Sequence, residues 1–290
     1  LNFDVGSGIV VAHLVYSGQN VPRSEKAMLA ISVGDLVALA IAALEAQGFP
    51  HDAASEMAEE FVIAELSGVR THGVGKLVSL NLGDLGAKPN ISEYGAIIRV
   101  DGNSSNGFLL FRQLADLVSD RCKQFGITAA FAHNFSRYSS LYPYTTRVAS
   151  RGFVGILLNT AGPPAVAPFG GVDPLTGTNP ICFSFPSAKG LSQTFDLATS
   201  EVVWGAIRQA ALEGRGLRAG PFLNSSGQVT TLPADVNAVR AFGGAKGSAI
   251  NLAIEIIAGL LSGARAGFDV KSEFDCGAVL IAIDPLATGA

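Results

Sequence analysis

The chain has 290 residues and a formal net charge of −4; 48% of it is hydrophobic and only 15% charged. That is apolar material for one large domain or two intimate ones, and it excludes a disordered chain. The slightly acidic balance, without a basic stripe, argues against nucleic acid as a partner. Cys122, Cys182 and Cys276 form no CxxC pair, which argues against zinc and fits buried thiols in a reducing, cytoplasmic compartment. No basic segment precedes an apolar run as in a secretory leader, and the longest apolar stretch, 250–261, is broken by Asn251 and Glu255. It is shorter than the ~20 residues a bilayer requires, so no membrane partner is expected.

Residues 1–27 contain one short apolar run, 8–16, which reads as a strand within an atypical N-terminal extension or an artefact of the assigned start. The segment 32–47 predicts an amphipathic helix, with Ser32 as N-cap and Val33, Leu36, Leu39, Ile41 and Leu44 at helical intervals. A second helix is expected over 51–68, with Ala53, Met57, Phe61 and Leu66 inward and His51 at its exposed start. There follows a glycine-flanked polar cluster, Arg70-Thr71-His72-Gly73, with Lys76 just beyond. A histidine between threonine and glycine can be held in fixed orientation and exchange a proton near neutral pH; a purely structural histidine fits the same residues.

The run 94–100 predicts a strand closed by the turn Asp101-Gly102-Asn103, then a helix over 109–125 and a strand over 127–133. A helix over 144–151 and a strand over 152–159 follow. The stretch 159–200 is dense in turn residues and encloses the apolar runs 181–185 and 195–197, which read as buried strands. Beyond it the pattern gives a helix over 202–212, a polar loop over 213–235, an apolar helix over 248–262 and a buried strand over 277–284. No GxGxxG occurs, which excludes an ordinary Rossmann site.

Three motifs in order, VAPFGG at 166–171, LTGTNPI at 175–181 and FDLATS at 195–200, resemble the signature of the malate/L-lactate dehydrogenase family. These are NAD(P)-dependent oxidoreductases unrelated to the Rossmann-type enzymes, and they include 2,3-diketogulonate reductase and the Δ1-pyrroline- and Δ1-piperideine-2-carboxylate reductases. The likeness runs from about Ile31 to Pro285. It implies an α/β fold, a mixed sheet covered by helices of the non-Rossmann L-sulfolactate/malate dehydrogenase type. A cofactor-binding region, 105–245, would be inserted into a substrate and dimerisation region built from 28–104 and 246–290. It also implies NAD or NADP as cofactor, a homodimer, and hydride transfer to a 2-oxo acid or cyclic imino acid.

Site residues are carried over position by position. His72 matches the catalytic histidine of Ser-His-Gly, with Thr71 in place of serine. Asp196 of FDLATS matches the aspartate next to it; as an isolated residue it reads as a turn or helix N-cap. The cofactor is expected along Thr194, Phe195, Leu197, Ala198, Thr199 and Ser200, with Thr178 in the pocket and Lys246-Gly247 of GGAKG on phosphate or ribose. Lys76 stands where the family carries the arginine that holds the substrate carboxylate, and Arg70 is close enough in sequence to share the task. The motif Asn-Ser-x-His-Phe/Tyr-Gly is Asn134-Phe135-Ser136-Arg137-Tyr138-Ser139 here, so an arginine suited to gripping a carboxylate replaces a histidine. Leu141-Tyr142-Pro143 resembles the Leu-Trp-Pro of the cyclic-imine reductases. The chain ends at Ala290 without the family's C-terminal cofactor-binding segment. With the changes at Lys76 and Arg137, that leaves open a homologue that keeps the fold and a ligand pocket without turnover.

Overall fold

Ser32 starts the first helix as the sequence predicts: its hydroxyl accepts the Asp35 N–H at 3.1 Å. The computed structural model describes residues 9–12, 29–66, 68, 72–78, 82–188 and 192–289. It divides into a smaller unit, Leu1–Leu80, and a larger one, Asn81–Ala290. In the smaller unit, β1 (Ile9–Ala12) pairs antiparallel with β2 (Leu29–Ser32). Then come α1 (Val33–Glu45) and α2 (His51–Leu66). Val33, Leu36 and Val62 pack together with Val74. Leu39 and Leu66, expected inside, are 58% and 43% exposed. The His51 ring lies 2.7 Å from Glu45 Oε1 on the surface, the structural role expected of it.

The larger unit is built on a mixed sheet. Its strands are β3 (Asn90–Tyr94), β4 (Ile97–Ser105), β5 (Ile127–Phe135), β6 (Val154–Asn159), β8 (Ile181–Phe185), β9 (Gln193–Leu197) and β12 (Gly277–Ile283). They run in the order β3-β4-β5-β12-β6-β8-β9. Only β4 and β5 are parallel. The C-terminal strand β12 sits centrally, antiparallel to both β5 and β6. Its alternation decides the layers. Ala278, Leu280 and Ala282 face α3 (Gly107–Phe125) and α4 (Tyr142–Ser150). Val279 and Ile281 face Ile254 and Ala258, on the helical segment that opens with α6 (Ala245–Ile254). A smaller sheet joins β7 (Val166–Ala167), β10 (Phe222–Leu223) and β11 (Ala238–Arg240). Ile207 of α5 (Trp204–Glu213) packs against it.

Three expectations are corrected. The turn at 101–103 is an irregularity within β4, where the register to β5 shifts between Asp101 and Ser105. Asn103 and Ser104 have φ of 52° and 61°, and Asp101 accepts the Asn103 N–H at 2.9 Å. The turn chemistry is present, but it bulges the strand instead of ending it. The run 195–197 is a strand but not a buried one, because β9 is an edge and Phe195 and Leu197 are 50% and 40% exposed. The apolar helix starts at Ala245, earlier than expected, and passes into a π-helical turn, Glu255–Gly259, and a 3-10 turn, Leu260–Ser262. By length and composition Ala245–Ser262 is apolar enough to cross a bilayer; here its Asn251, Ile254, Glu255 and Ala258 are buried.

Phe111 anchors the main core: it is fully buried, and its ring lies 4.5 Å from Tyr138 and 5.0 Å from Phe135. Phe111→Ala should cost about 3–5 kcal/mol in a urea unfolding titration. A loss under ~1 kcal/mol would show that the cluster repacks around the void.

Candidate active site

In the smaller unit, Gly73 alone separates His72 from a 3-10 turn, Val74–Val78, which carries Lys76. Gly73 packs close to α2: a Cβ would lie 3.3 Å from Glu65 Cα and would displace the Glu65 carboxylate. The His72 side chain is half-buried. Burial, and secondarily the charge of Lys76, hold its pKa below the usual 6.5, so its protonated form gives up a proton readily. Arg70 and Thr71 lie outside the described residues.

In the larger unit, Asp196 projects from edge strand β9 toward the start of α4. The N-cap residue of that helix, Leu141, makes no side-chain cap. Asp196 Oδ2 replaces it, accepting the Leu141 and Tyr142 N–H groups at 3.0 Å each. The N-cap role read from the residue type is therefore real, though served to a helix remote in sequence. The residue is exposed overall, but its carboxyl group is enclosed by α4. Burial pushes its pKa up, against the two N–H groups that pull it down. Among the described residues, Oδ1 accepts no hydrogen bond.

The Tyr138 hydroxyl donates to Asn159 Oδ1 at 2.9 Å. Burial, then Asp196, raise its pKa well above 10.0. The same two causes push Cys182 up to about 12, so both groups stay protonated beside the carboxylate. Arg137 precedes Tyr138 and is half-exposed; its Nη2 donates to the Gly162 carbonyl and its Nε lies 3.8 Å from Glu273 Oε2. Gly162 in turn donates its N–H to Cys276 Sγ at 3.2 Å.

The remaining motif residues converge in the larger unit. Thr199 N–H donates to the Thr178 carbonyl and Phe242 N–H to the Thr199 carbonyl, both at 3.0 Å. Ser200 bridges Ala241. Phe169 N–H reaches Ser248 Oγ at 3.0 Å, which lays VAPFGG against GGAKG. Gly243 and Gly244 have φ of 60° and 63°, the left-handed region that glycine enters freely. A Cβ on Gly247 would meet the Phe242 carbonyl at 1.7 Å. The start of α6 has no side-chain cap, and Lys246 stands exposed in its first turn. Uncapped N–H groups, a lysine and the helix dipole suit an anionic group such as phosphate. Thr194 is held by Ser184 at 2.9 Å. Phe195 meets Phe185 edge-on at 6.3 Å, while Leu197 is exposed and Ala198 half-buried.

Sequence reasoning noted Asn251 and Glu255 only as interruptions of an apolar run. Both are buried and bonded to this convergence: Asn251 Nδ2 donates to Thr199 Oγ1 at 2.8 Å, and Glu255 Oε2 accepts Asn179 Nδ2 at 2.7 Å. Their spacing of four, which puts two polar groups on one face of an apolar helix, was the available signal.

The fold is that of known dehydrogenases and reductases. Δ1-Piperideine-2-carboxylate reductase from Pseudomonas syringae superposes with a TM-score of 0.75 at 30% identity, over 88% of this chain and 82% of that one. Among curated relatives, Δ1-pyrroline-2-carboxylate reductase 1 of Burkholderia ambifaria is 32% identical over 246 residues, 82% of this chain and 72% of the relative. L-Sulfolactate dehydrogenase of Methanocaldococcus jannaschii is 31% identical over 262 residues, 85% of this chain and 75% of the relative. The malate/L-lactate dehydrogenase family matches residues 31–290, and the chain belongs to it.

Proposed function

We propose that this protein is an NAD(P)H-dependent reductase that transfers hydride to a 2-oxo acid or a cyclic imino acid of the pyrroline- or piperideine-2-carboxylate kind. The observation that carries this reading is the convergence of segments 166–171, 178–179, 196–200 and 241–247 around the uncapped start of α6. That surface fits a dinucleotide: the α6 N–H groups and Lys246 take a phosphate, Gly247 lets the Phe242 carbonyl close on the first turn of the helix, and Thr178 and Thr194–Ser200 line the approach. When bound, the cofactor supplies hydride from nicotinamide C4. His72 supplies the proton to the substrate oxygen or nitrogen, its proton affinity lowered by burial and by Lys76. Asp196 Oδ1 offers an acceptor at the start of α4.

Arg137 takes the substrate carboxylate, with Thr71 and Lys76, at positions of the family pattern, and Arg70, close to them in sequence, as the supporting polar groups. Residues 105–245 form the cofactor region, and 28–104 with 246–290 the substrate and dimerisation region. A homodimer is supported by the apolar side chains left exposed after α6, Ile256, Leu260 and Leu261 at 52%, 55% and 64%. A cytoplasmic location is supported by three free buried thiols.

The test is oxidation of NADH and NADPH with a panel of 2-oxo acids and cyclic imino acids. Turnover with one class assigns the substrate; cofactor binding without turnover on any of them would refute the reductase reading. Arg137→Ala should raise KM for the active substrate about 10–100-fold, the worth of a lost charged hydrogen bond, with a smaller change in kcat. Unchanged KM would remove Arg137 from carboxylate recognition.

A further inference from the structure

We propose that Asn251 and Glu255 are positioning residues that set the cofactor-binding surface from behind; this rests on the reductase reading above. Both are buried, at 2% and 6% exposure, on the face of the α6 segment turned toward the motif loops. Asn251 uses its whole amide. Its Nδ2 donates to the Gly177 carbonyl at 2.9 Å and to Thr199 Oγ1 at 2.8 Å, and its Oδ1 accepts the Thr176 hydroxyl at 2.5 Å. Thr199 passes its own hydroxyl proton on, lying 2.9 Å from the Asn179 carbonyl and 3.1 Å from that of Thr178.

Glu255 uses both oxygens as acceptors, Oε2 from Asn179 Nδ2 and Oε1 from the Gly267 N–H, each at 2.7 Å. Asn179 is held in a left-handed conformation, φ 32°, with its Oδ1 accepting the Ala161 N–H at 3.1 Å. Every donor in the set meets an acceptor, so the direction of each bond is fixed. The helix widens into its π turn at Glu255, where the Leu260 N–H reaches back to the Glu255 carbonyl. Such turns recur at functional sites.

The network bears on the motif segments through Thr199 and Asn179. Thr199 is locked by Asn251 from behind, and its backbone bonds Thr178 on one side and Phe242 on the other. The turn that ends at Gly244 and presents Lys246 is therefore tied through the Thr199 backbone to a residue that Asn251 holds directly and Glu255 holds by way of Asn179. Neither carries an exposed polar atom for the ligand, so their influence runs through position alone.

Glu255→Gln tests this, because an amide can satisfy only one of the two donors and must turn its NH₂ against the other. NADPH and NADH binding to the purified protein would be followed by nicotinamide fluorescence, with kcat and KM alongside. Amide hydrogen exchange over 197–200 would be followed without cofactor. We expect cofactor Kd and KM to rise about tenfold, the worth of one such bond. At saturation kcat should stay within about twofold, and exchange over 197–200 should speed up. Thr176→Val, which removes one donor to Asn251 at constant shape, should do the same more weakly and serves if Glu255→Gln fails to fold.

Unchanged binding in variants compared with a wild type that binds would overturn the inference. So would an equal fall in kcat and affinity in step with thermal stability. A wild type that binds neither cofactor would refute the reductase reading itself, and with it this inference.

Discussion

His72→Ala is expected to lower kcat for substrate reduction about 10²–10⁴-fold, the range of a lost general acid. Cofactor binding should stay within about twofold of wild type. The residue sits beside a glycine packed close to α2, half-buried and within reach of the Lys76 charge. Those surroundings also fix the pH dependence. Burial and then Lys76 disfavour the imidazolium and hold the pKa under 6.5. A proton donor must be protonated, so kcat/KM for reduction should decline as pH rises through a value under 6.5. Lys76→Gln removes the second cause and should move that decline upward. Stability runs the opposite way with pH: this group's stabilising contribution is present above its unfolded pKa and lost as pH falls through the lower folded value. A pH profile unchanged in both variants would take the proton-transfer role away from His72.

Asp196→Asn is the second large effect, and it separates two roles of one carboxylate. As the cap of α4, the carboxylate uses a single oxygen for two N–H groups; the asparagine carbonyl can do the same. Because burial raises the Asp196 pKa in the folded state, its stabilising contribution is full below the unfolded value and lost as pH rises through the folded one. Ionising the group in the folded protein therefore carries a cost, and the asparagine variant should melt at the same temperature or higher. Its kcat should fall about 10²-fold or more, because an amide supplies neither the charge nor a second acceptor. Asp196→Ala, by contrast, should lose both activity and α4 stability, by about 1 kcal/mol for the missing cap. Activity retained in the asparagine variant would leave Asp196 a structural cap alone.

How far the residues disclose this arrangement depends on the range of the interaction. Ser32 and Asn106 both cap helices through local bonds, to Asp35 and Leu109, and local bonds follow from local sequence. The strand over 277–283 was legible because an unbroken short apolar run suits a strand buried on both faces. The edge position of β9 was not, since an apolar triplet looks the same at the centre and at the rim of a sheet. Nor was the cap of α4: its acceptor lies 55 residues from Leu141, and no spacing rule reaches that far.

In the site, the motif residues around Lys246 were found by resemblance, and the structure supplies the bonds that bring them together. Asn251 and Glu255 escaped because two polar residues in an apolar helix read as interruptions until their partners are known. Arg137 was singled out by type; its Glu273 and Gly162 partners come from two other loops.

Direct hydride transfer is the central claim, and isotope labelling tests it most directly. The enzyme would be run with NADH or NADPH carrying deuterium at both C4 positions of the nicotinamide, and the product read by mass spectrometry and proton NMR. One deuterium on the carbon next to the carboxylate, retained in ordinary water, is the predicted result. An unlabelled product, or label taken up at that carbon from deuterated solvent instead, would contradict the assignment.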